Sequence, residues 1–541
     1  MTSSGSTTDF HVYDTTLRDG AQQEGLSLSV SDKLAIAGYL DELGVGFIEG
    51  GWPGAIPKDT EFFAQAEHNL LLRNAVLAAF GATRRPGTTA EADPQVRALL
   101  DSKAPVVTLV AKCHVRHVEL ALRTTVAENL AMVGDTISFL VAEGRRVVLD
   151  AEHFFDGYRA DPAYALEVVR RAAESGAEVV ALCDTNGGML PQQVADAVHE
   201  VLSASGARLG IHCHNDTGCA VANTLAAVEA GATHVQGTLN GYGERTGNAD
   251  LVTVVANLVV KQGRPVLDPA RLQDATRIAH AVSEVANVVP YSRQPYVGAS
   301  AFAHKAGLHA SAIKVDPNLY QHTDPQAVGN DMRMLVSDMA GRASIEMKGR
   351  ELGFDLAGQG ELLTRVTDRV KALEARGYTF DAADASFELL LREEVEGARL
   401  SFCDVESWRV ITESSPSRAA TNGAATGSAM SEATVKLVAG GRRVVATGEG
   451  NGPVNALDEA LRQALAPAYP ELERLQLIDF KVRILDAAHG TDATTRVLIE
   501  TSDGETSWNT VGVADNIVEA SWEALVDGIS YGLVRQGVSR R

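Results

Sequence analysis

The chain has 541 residues, more than one hydrophobic core usually serves, so two or three domains are expected, the first long enough for a complete α/β barrel. Apolar residues make up 45%, the level of a folded soluble protein, and no run approaches the ~20 apolar residues that a membrane span needs. A formal charge of −22 disfavours nucleic acid and anionic membrane as partners, although a locally positive site can still hold a small anionic substrate.

Residues 1–9 are small and polar, with neither the basic start nor the apolar centre of a secretion signal, and read as a disordered tail. From Phe10 to 262 a short apolar strand, a polar loop and an amphipathic helix alternate. The strands read are Phe10–Asp14, Val45–Glu49, Ala75–Phe80, Val106–Ala111, Arg146–Ala151, Glu178–Cys183, Arg208–His212 and Thr233–Gly237. Eight such units predict a closed parallel (β/α)8 TIM barrel. An open doubly wound sheet is the alternative, but the first strand is not followed by a Gly-x-Gly-x-x-Gly turn. Cys113, Cys183, Cys213, Cys219 and Cys403 form no Cys-x-x-Cys pair and read as reduced thiols of a cytosolic enzyme.

Active sites of such barrels lie on loops at the C-terminal strand ends, and polar residues gather there. The ends carry Asp14-Thr-Thr-Leu-Arg-Asp-Gly20, Glu49-Gly-Gly-Trp-Pro-Gly54, Asp150-Ala-Glu-His153, Cys183-Asp-Thr-Asn-Gly187, His212-Cys-His-Asn-Asp216 and Gly243-Glu-Arg-Thr-Gly-Asn248. His212 and His214 are two apart on a strand and project to one face. Two imidazoles and a carboxylate make a divalent-metal site; the other reading is a hydrogen-bonded pair of core histidines.

Three of these segments, Asp14–Gly20, His212–Asp216 and Gly243–Asn248, resemble the signatures of the metal-dependent synthases that condense acetyl-CoA with a 2-oxo acid, the family of 2-isopropylmalate, homocitrate and citramalate synthases. The wording of Glu49–Gly54 and of Ala301-Phe-Ala-His-Lys-Ala-Gly-Leu-His309 most resembles the citramalate branch. The resemblance implies a divalent ion (zinc, manganese or magnesium) held by Asp19, His212 and His214, with Asn248 as a further ligand in some relatives. Arg18, which cannot lose its proton, suits charge developing on the ketone or enolate oxygen; alternatively it makes a salt bridge to a barrel carboxylate. Glu152 is expected to orient water or substrate, and Thr185 to bond the substrate carboxylate. The candidate base is His309, with Tyr320 and Glu244 in support, a histidine's ordinary acidity lying near neutral pH. In place of an acidic residue common two positions after that histidine stands Ser311. Bulky Trp52, Phe154 and Phe155 near strand ends would leave room for little beyond a methyl group, which points to pyruvate; 2-oxoisovalerate is the alternative.

Residues 263–410 are helical in pattern and read as linker or lid subdomains, which in the family fold over the partner subunit's barrel in a homodimer. Ser, Ala, Thr and Gly dominate 411–432, a flexible linker. The small α/β domain at 433–541 looks internally duplicated: strands, then a helix over Leu457–Leu465, and again strands, then a helix over Glu519–Gly532. The resemblance implies a regulatory domain with isoleucine as effector, in a cytoplasmic enzyme of branched-chain amino acid synthesis; a dimerisation domain that senses nothing is the plainer reading. Two rivals remain. A hydroxyacyl-CoA lyase usually places a cysteine in the loop after strand eight, absent here; loss of Arg18, Asp19 or a histidine would have favoured a non-catalytic effector-binding protein, and all are present.

Overall fold

Eight parallel strands close into a barrel: β1 (His11–Asp14), β2 (Phe47–Glu49), β3 (Val76–Ala82), β4 (Val106–Lys112), β5 (Arg146–Glu152), β6 (Val179–Asp184), β7 (Leu209–Cys213) and β8 (His234–Gly237), with β1 paired to both β2 and β8. The structure, a computed structural model, describes residues 10–414, 429–485 and 493–540. Strands covered on both faces read as near-continuous apolar runs, and every residue of β6 and β7 is buried. Local signals set the helix ends. Ser29 and Asp32 form a capping box at the start of Val30–Leu43, and Gly44 ends it in the left-handed region at φ 95°.

Two compact units divide the chain, one built from residues up to Phe302 with Thr323–Met332, the other from Ala303–His322 with Arg333–Arg541. The first holds the barrel and the helix Ala275–Val285, whose Ile278, Ala279 and Val282 join the barrel's outer core. The second begins with a two-stranded pairing of β9 (Ala303–His304) and β10 (Arg333–Met334) and the helix Gly307–Ile313. It continues through the helices Arg342–Glu351, Gly360–Ala375 and Asp384–Glu396.

Two three-stranded antiparallel sheets follow: β11 (Asp404–Ser414), β12 (Ala429–Ala439) and β13 (Arg442–Gly450), then β14 (Gln476–Ile484), β15 (Thr495–Ser502) and β16 (Ser507–Ala514). The helix Pro453–Leu465 follows the first sheet and Ile517–Arg535 the second. The duplication reaches single residues. The first strand of each sheet bulges at its third residue, between Val405 and Ser407 and between Leu477 and Asp479.

The boundaries correct two sequence readings. Strand β11 starts inside the stretch 263–410 taken as helical. Of the linker read over 411–432, residues 411–414 and 429–432 are paired ends of β11 and β12, with Thr412 and Ser431 hydroxyls 2.9 Å apart, while 415–428 lie outside the described residues. Polar strand ends without apolar alternation look like linker in sequence. The tail read over 1–9 also lies outside the described residues. Among the described residues no helix is long and apolar enough to cross a membrane.

Candidate active site

The turn after β1 organises the site. Asp14 accepts bonds from the Thr16 backbone N–H (2.8 Å) and hydroxyl (2.9 Å), and the Arg18 and Asp19 amides bond back to the Thr15 carbonyl. This tight turn aims both side chains at the barrel axis, where Asp19 is 4% exposed. Its Oδ2 lies 3.1 Å from His212 Nε2 and 3.7 Å from His214 Nε2. The histidines thus converge as their spacing predicts, His212 on β7 and His214 just past it, and His214 bridges in register to Asn248. Burial alone would push the Asp19 carboxyl up, but Arg18 and the two rings outweigh it and hold it well below the usual range. Burial pulls His212 down, yet its bond to Asp19 outweighs that and raises it; burial and the neighbouring His212 push His214 down to about 4.

Arg18 makes the salt bridge to a barrel carboxylate and also lines the cavity. Its Nε donates to Glu49 Oε2 at 2.6 Å, its guanidinium lies 3.8 Å from the centre of the Phe80 ring, and it lines the cavity beside Asp19. Glu49 is itself fixed by the Tyr13 hydroxyl at 2.9 Å. The cavity encloses about 530 Å³ and is walled by Trp52, Phe80, Val110, Leu122 and Met132. Glu152, Thr185 and Glu244 line it too. Thr185 Oγ1 accepts from the His153 amide at 2.8 Å, which leaves its hydroxyl proton for another acceptor. Glu152 is ion-paired with Lys112, its register partner on β4. Glu244, with a half-exposed side chain, lies beside Arg245, whose guanidinium bonds Asp216 and the Thr185 carbonyl and lies 3.2 Å from His214 Nδ1.

Trp52 stands in the wall, edge-on to Phe80 at 5.2 Å, but Phe154 and Phe155 do not. His153 adopts φ 56°, which turns the chain out of β5 into the helix Phe154–Ala160, and both rings are buried in the layer between barrel and helices. Of the three bulky residues expected to limit the substrate only Trp52 lines the cavity, and Phe80 stands there with it. His309 and Tyr320 belong to the second unit, where their rings stack at 4.1 Å; Ser311, in place of the acidic residue, bonds the Gly307 carbonyl within its own helix. Sequence reading gave Tyr13, Glu49, Phe80, Lys112, Asp150 and Gln236 no role. Asp150 and Glu152, two apart on β5, carried the one usable signal, strand alternation onto a common face.

The donor set fits a divalent cation. Asn248 Oδ1 is buried without a partner while its Nδ2 donates to the Tyr242 carbonyl. The four inner carboxyl groups of Asp19, Glu49, Asp150 and Glu152 outnumber the permanent cations Arg18 and Lys112, and burial together with the nearby Glu49 pushes Asp150 up to about 7. Among the described residues the Asp19, His212 and His214 cluster is the only group of three or more His, Cys, Asp or Glu side chains that could hold a metal ion.

Comparison with known proteins follows the same division. The HMGL-like family profile matches residues 9–282, a homocitrate synthase post-HMGL domain-like profile 296–378, and the LeuA allosteric (dimerisation) domain 381–533. An (R)-citramalate synthase of Streptomyces coelicolor is 66% identical over 98% of both chains, and one from Synechocystis 48% identical over 97% of this chain and 96% of that one. A 2-isopropylmalate synthase of Methanocaldococcus jannaschii is 29% identical, over 97% of this chain and 95% of its own.

Proposed function

The chain belongs to the HMGL-like family, in its citramalate synthase branch, and from that premise we propose that the β1–β7–β8 mouth of the barrel condenses acetyl-CoA with pyruvate to citramalate and CoA. The observation that carries this reading is the meeting of Asp19, His212, His214 and Arg18 at one end of the cavity. Asp19, His212 and His214, with Asn248 in reserve, would hold a divalent ion, which when bound supplies Lewis acidity toward the 2-oxo acid. Oxygen and imidazole donors without thiolate suit zinc, manganese or magnesium.

The remaining chemistry falls to the side chains. The thioester methyl loses a proton, its carbon bonds the keto carbon, and the keto oxygen becomes a hydroxyl; water then cleaves the thioester to a carboxylate and the CoA thiol. Arg18, immobilised by Glu49 and Phe80, faces the oxygen on which charge grows without needing to reorganise. The free hydroxyl proton of Thr185 suits a substrate carboxylate. Glu152, turned by Lys112, is placed to orient water. His309 is the base for the methyl proton, supported by Tyr320 and Glu244, and the family resemblance has it supplied by the second subunit of a homodimer. Trp52 and Phe80 narrow the cavity toward a methyl substituent, although one methylene is worth only ~1–3 kcal/mol. Thiol release with a panel of 2-oxo acids tests the assignment: kcat/KM is expected to be highest for pyruvate, and faster turnover of 2-oxoisovalerate would replace the reading with 2-isopropylmalate synthesis.

For regulation, a cavity of about 810 Å³ in the second unit lies where the two repeats meet, lined by Val454, Leu477, Phe480 and Ile517. Asp458 pairs with Arg462 through Oδ2 and keeps Oδ1 buried without a partner, which suits the ammonium group of isoleucine, while the apolar wall suits its side chain. Isoleucine is expected to inhibit the enzyme and to lose its effect in Leu477→Trp; equal sensitivity of the two would move the effector elsewhere.

A further inference from the structure

Asp150 on β5 and Gln236 on β8 form a buried chain to His212. Gln236 Nε2 donates to Asp150 Oδ1 at 2.8 Å, and Gln236 Oε1 lies 2.9 Å from His212 Nδ1. Gln236 and His212 are register partners on neighbouring strands, whereas Asp150 is reached across the barrel interior from a strand that does not pair with β8. The two ends of a carboxamide differ, which gives the chain a direction. Gln236 turns its NH2 to Asp150 Oδ1, and its oxygen, which only accepts, is left for the imidazole. Nδ1 of His212 must therefore carry a proton, and the lone pair available for ligation is on Nε2, the nitrogen 3.1 Å from Asp19 Oδ2.

We propose that Asp150 and Gln236 are positioning residues that hold His212 as the Nδ1–H tautomer and so present Nε2 to the cation; the inference rests on the cation reading of the Asp19, His212 and His214 cluster. His214 has no such brace, since its Nδ1 faces Arg245, a donor with a side chain 43% exposed. The two ligands are unequal, and His212 is the one set in advance. Residue type follows from the geometry. Asparagine would be one methylene short of spanning both partners, and glutamate would set a second carboxylate against Asp150.

Outer partners of ligating histidines typically govern about 10–100-fold in metal affinity, and that is the loss expected for Gln236→Met, which keeps length and removes both bonds. Asp150→Asn, whose amide oxygen still accepts from Gln236, is expected to retain most of the affinity. Zinc binding to the metal-stripped full-length chain, measured against a competing chelator, reads both. Independently, nitrogen NMR of the histidine-labelled parent at about pH 8, with His212 assigned from His212→Asn, should show Nδ1 protonated, and Gln236→Met should give mixed tautomers. Parental zinc affinity in Gln236→Met, or an unprotonated Nδ1 in the parent, overturns the proposal. If Gln236→Met does not fold, the parent spectrum decides alone. A parent that bound no zinc would instead sink the cation reading, with the tautomer still deciding whether the brace exists.

Discussion

Arg18 shows how much of the site is set by neighbours that carry no motif. Glu49 fixes its Nε, Phe80 covers one face, and Asp19 Oδ2 lies 3.6 Å from Nη1, so a planar, permanently charged group is held in one orientation. Lysine cannot reproduce that fork. Arg18→Lys is expected to keep the bound ion and lose about 10²–10³ in kcat, the usual scale for one preorganised charge donor; steady-state thiol release checks it, and an undiminished kcat would take the developing charge away from this residue. The convergence of Asp19, His212, His214 and Arg18 was legible as sequence because each sits in a short contiguous motif at a strand end. Glu49 and Asp150 stood in strand-end segments too, but their partners, and Gln236 altogether, were not legible, since which side chains meet inside a barrel depends on register between strands far apart in the chain. Phe154 and Phe155 were misplaced by one residue's backbone, the left-handed turn at His153.

At the scale of elements, the C-terminal duplication that was visible as repeated strand and helix patterning rests on close backbone packing that was not. Gly448 on β13 lies against Ala456 and Ala460, and Gly512 on β16 against Ala520 and Ala524, at the same sequence offsets. A Cβ at 512 would stand 2.0 Å from the Ala520 carbonyl oxygen. Gly512→Ala is therefore expected to cost about 3 kcal/mol and to lower the melting midpoint, whereas a parental midpoint would mean that strand and helix can part at little cost. On the helix Ile517–Arg535, burial pushes the Asp527 carboxyl up to about 6 against the pull of Arg399 at 2.7 Å. An aspartate in an unfolded chain ionises near ~3.9, so the folded protein binds the extra proton between these values and stability falls as pH rises through that window. Melting curves from pH 4 to 6 should show a steeper fall for the parent than for Asp527→Asn; matching slopes would contradict the burial argument.

For the whole molecule, the barrel was readable because eight strand and helix units are long, periodic and unbroken, while the second unit alternates short helices with polar-ended strands whose boundaries the pattern blurs. If the proposed base comes from the partner subunit, two inactive chains should repair each other. Mixing Asp19→Ala with His309→Ala under conditions of subunit exchange would give mixed dimers with one intact site, and about a quarter of parental activity at equal proportions. No recovery would place His309 in the same subunit as its barrel or remove it from catalysis. In the proposed mechanism a divalent cation gripped by Asp19, His212 and His214 is what makes the barrel a synthase. That role is tested most directly by measuring metal content and acetyl-CoA consumption in Asp19→Ala beside the chelator-treated parent. Both should lose ion and condensation together, and chelated protein that still consumed acetyl-CoA with pyruvate at the parental rate would contradict it.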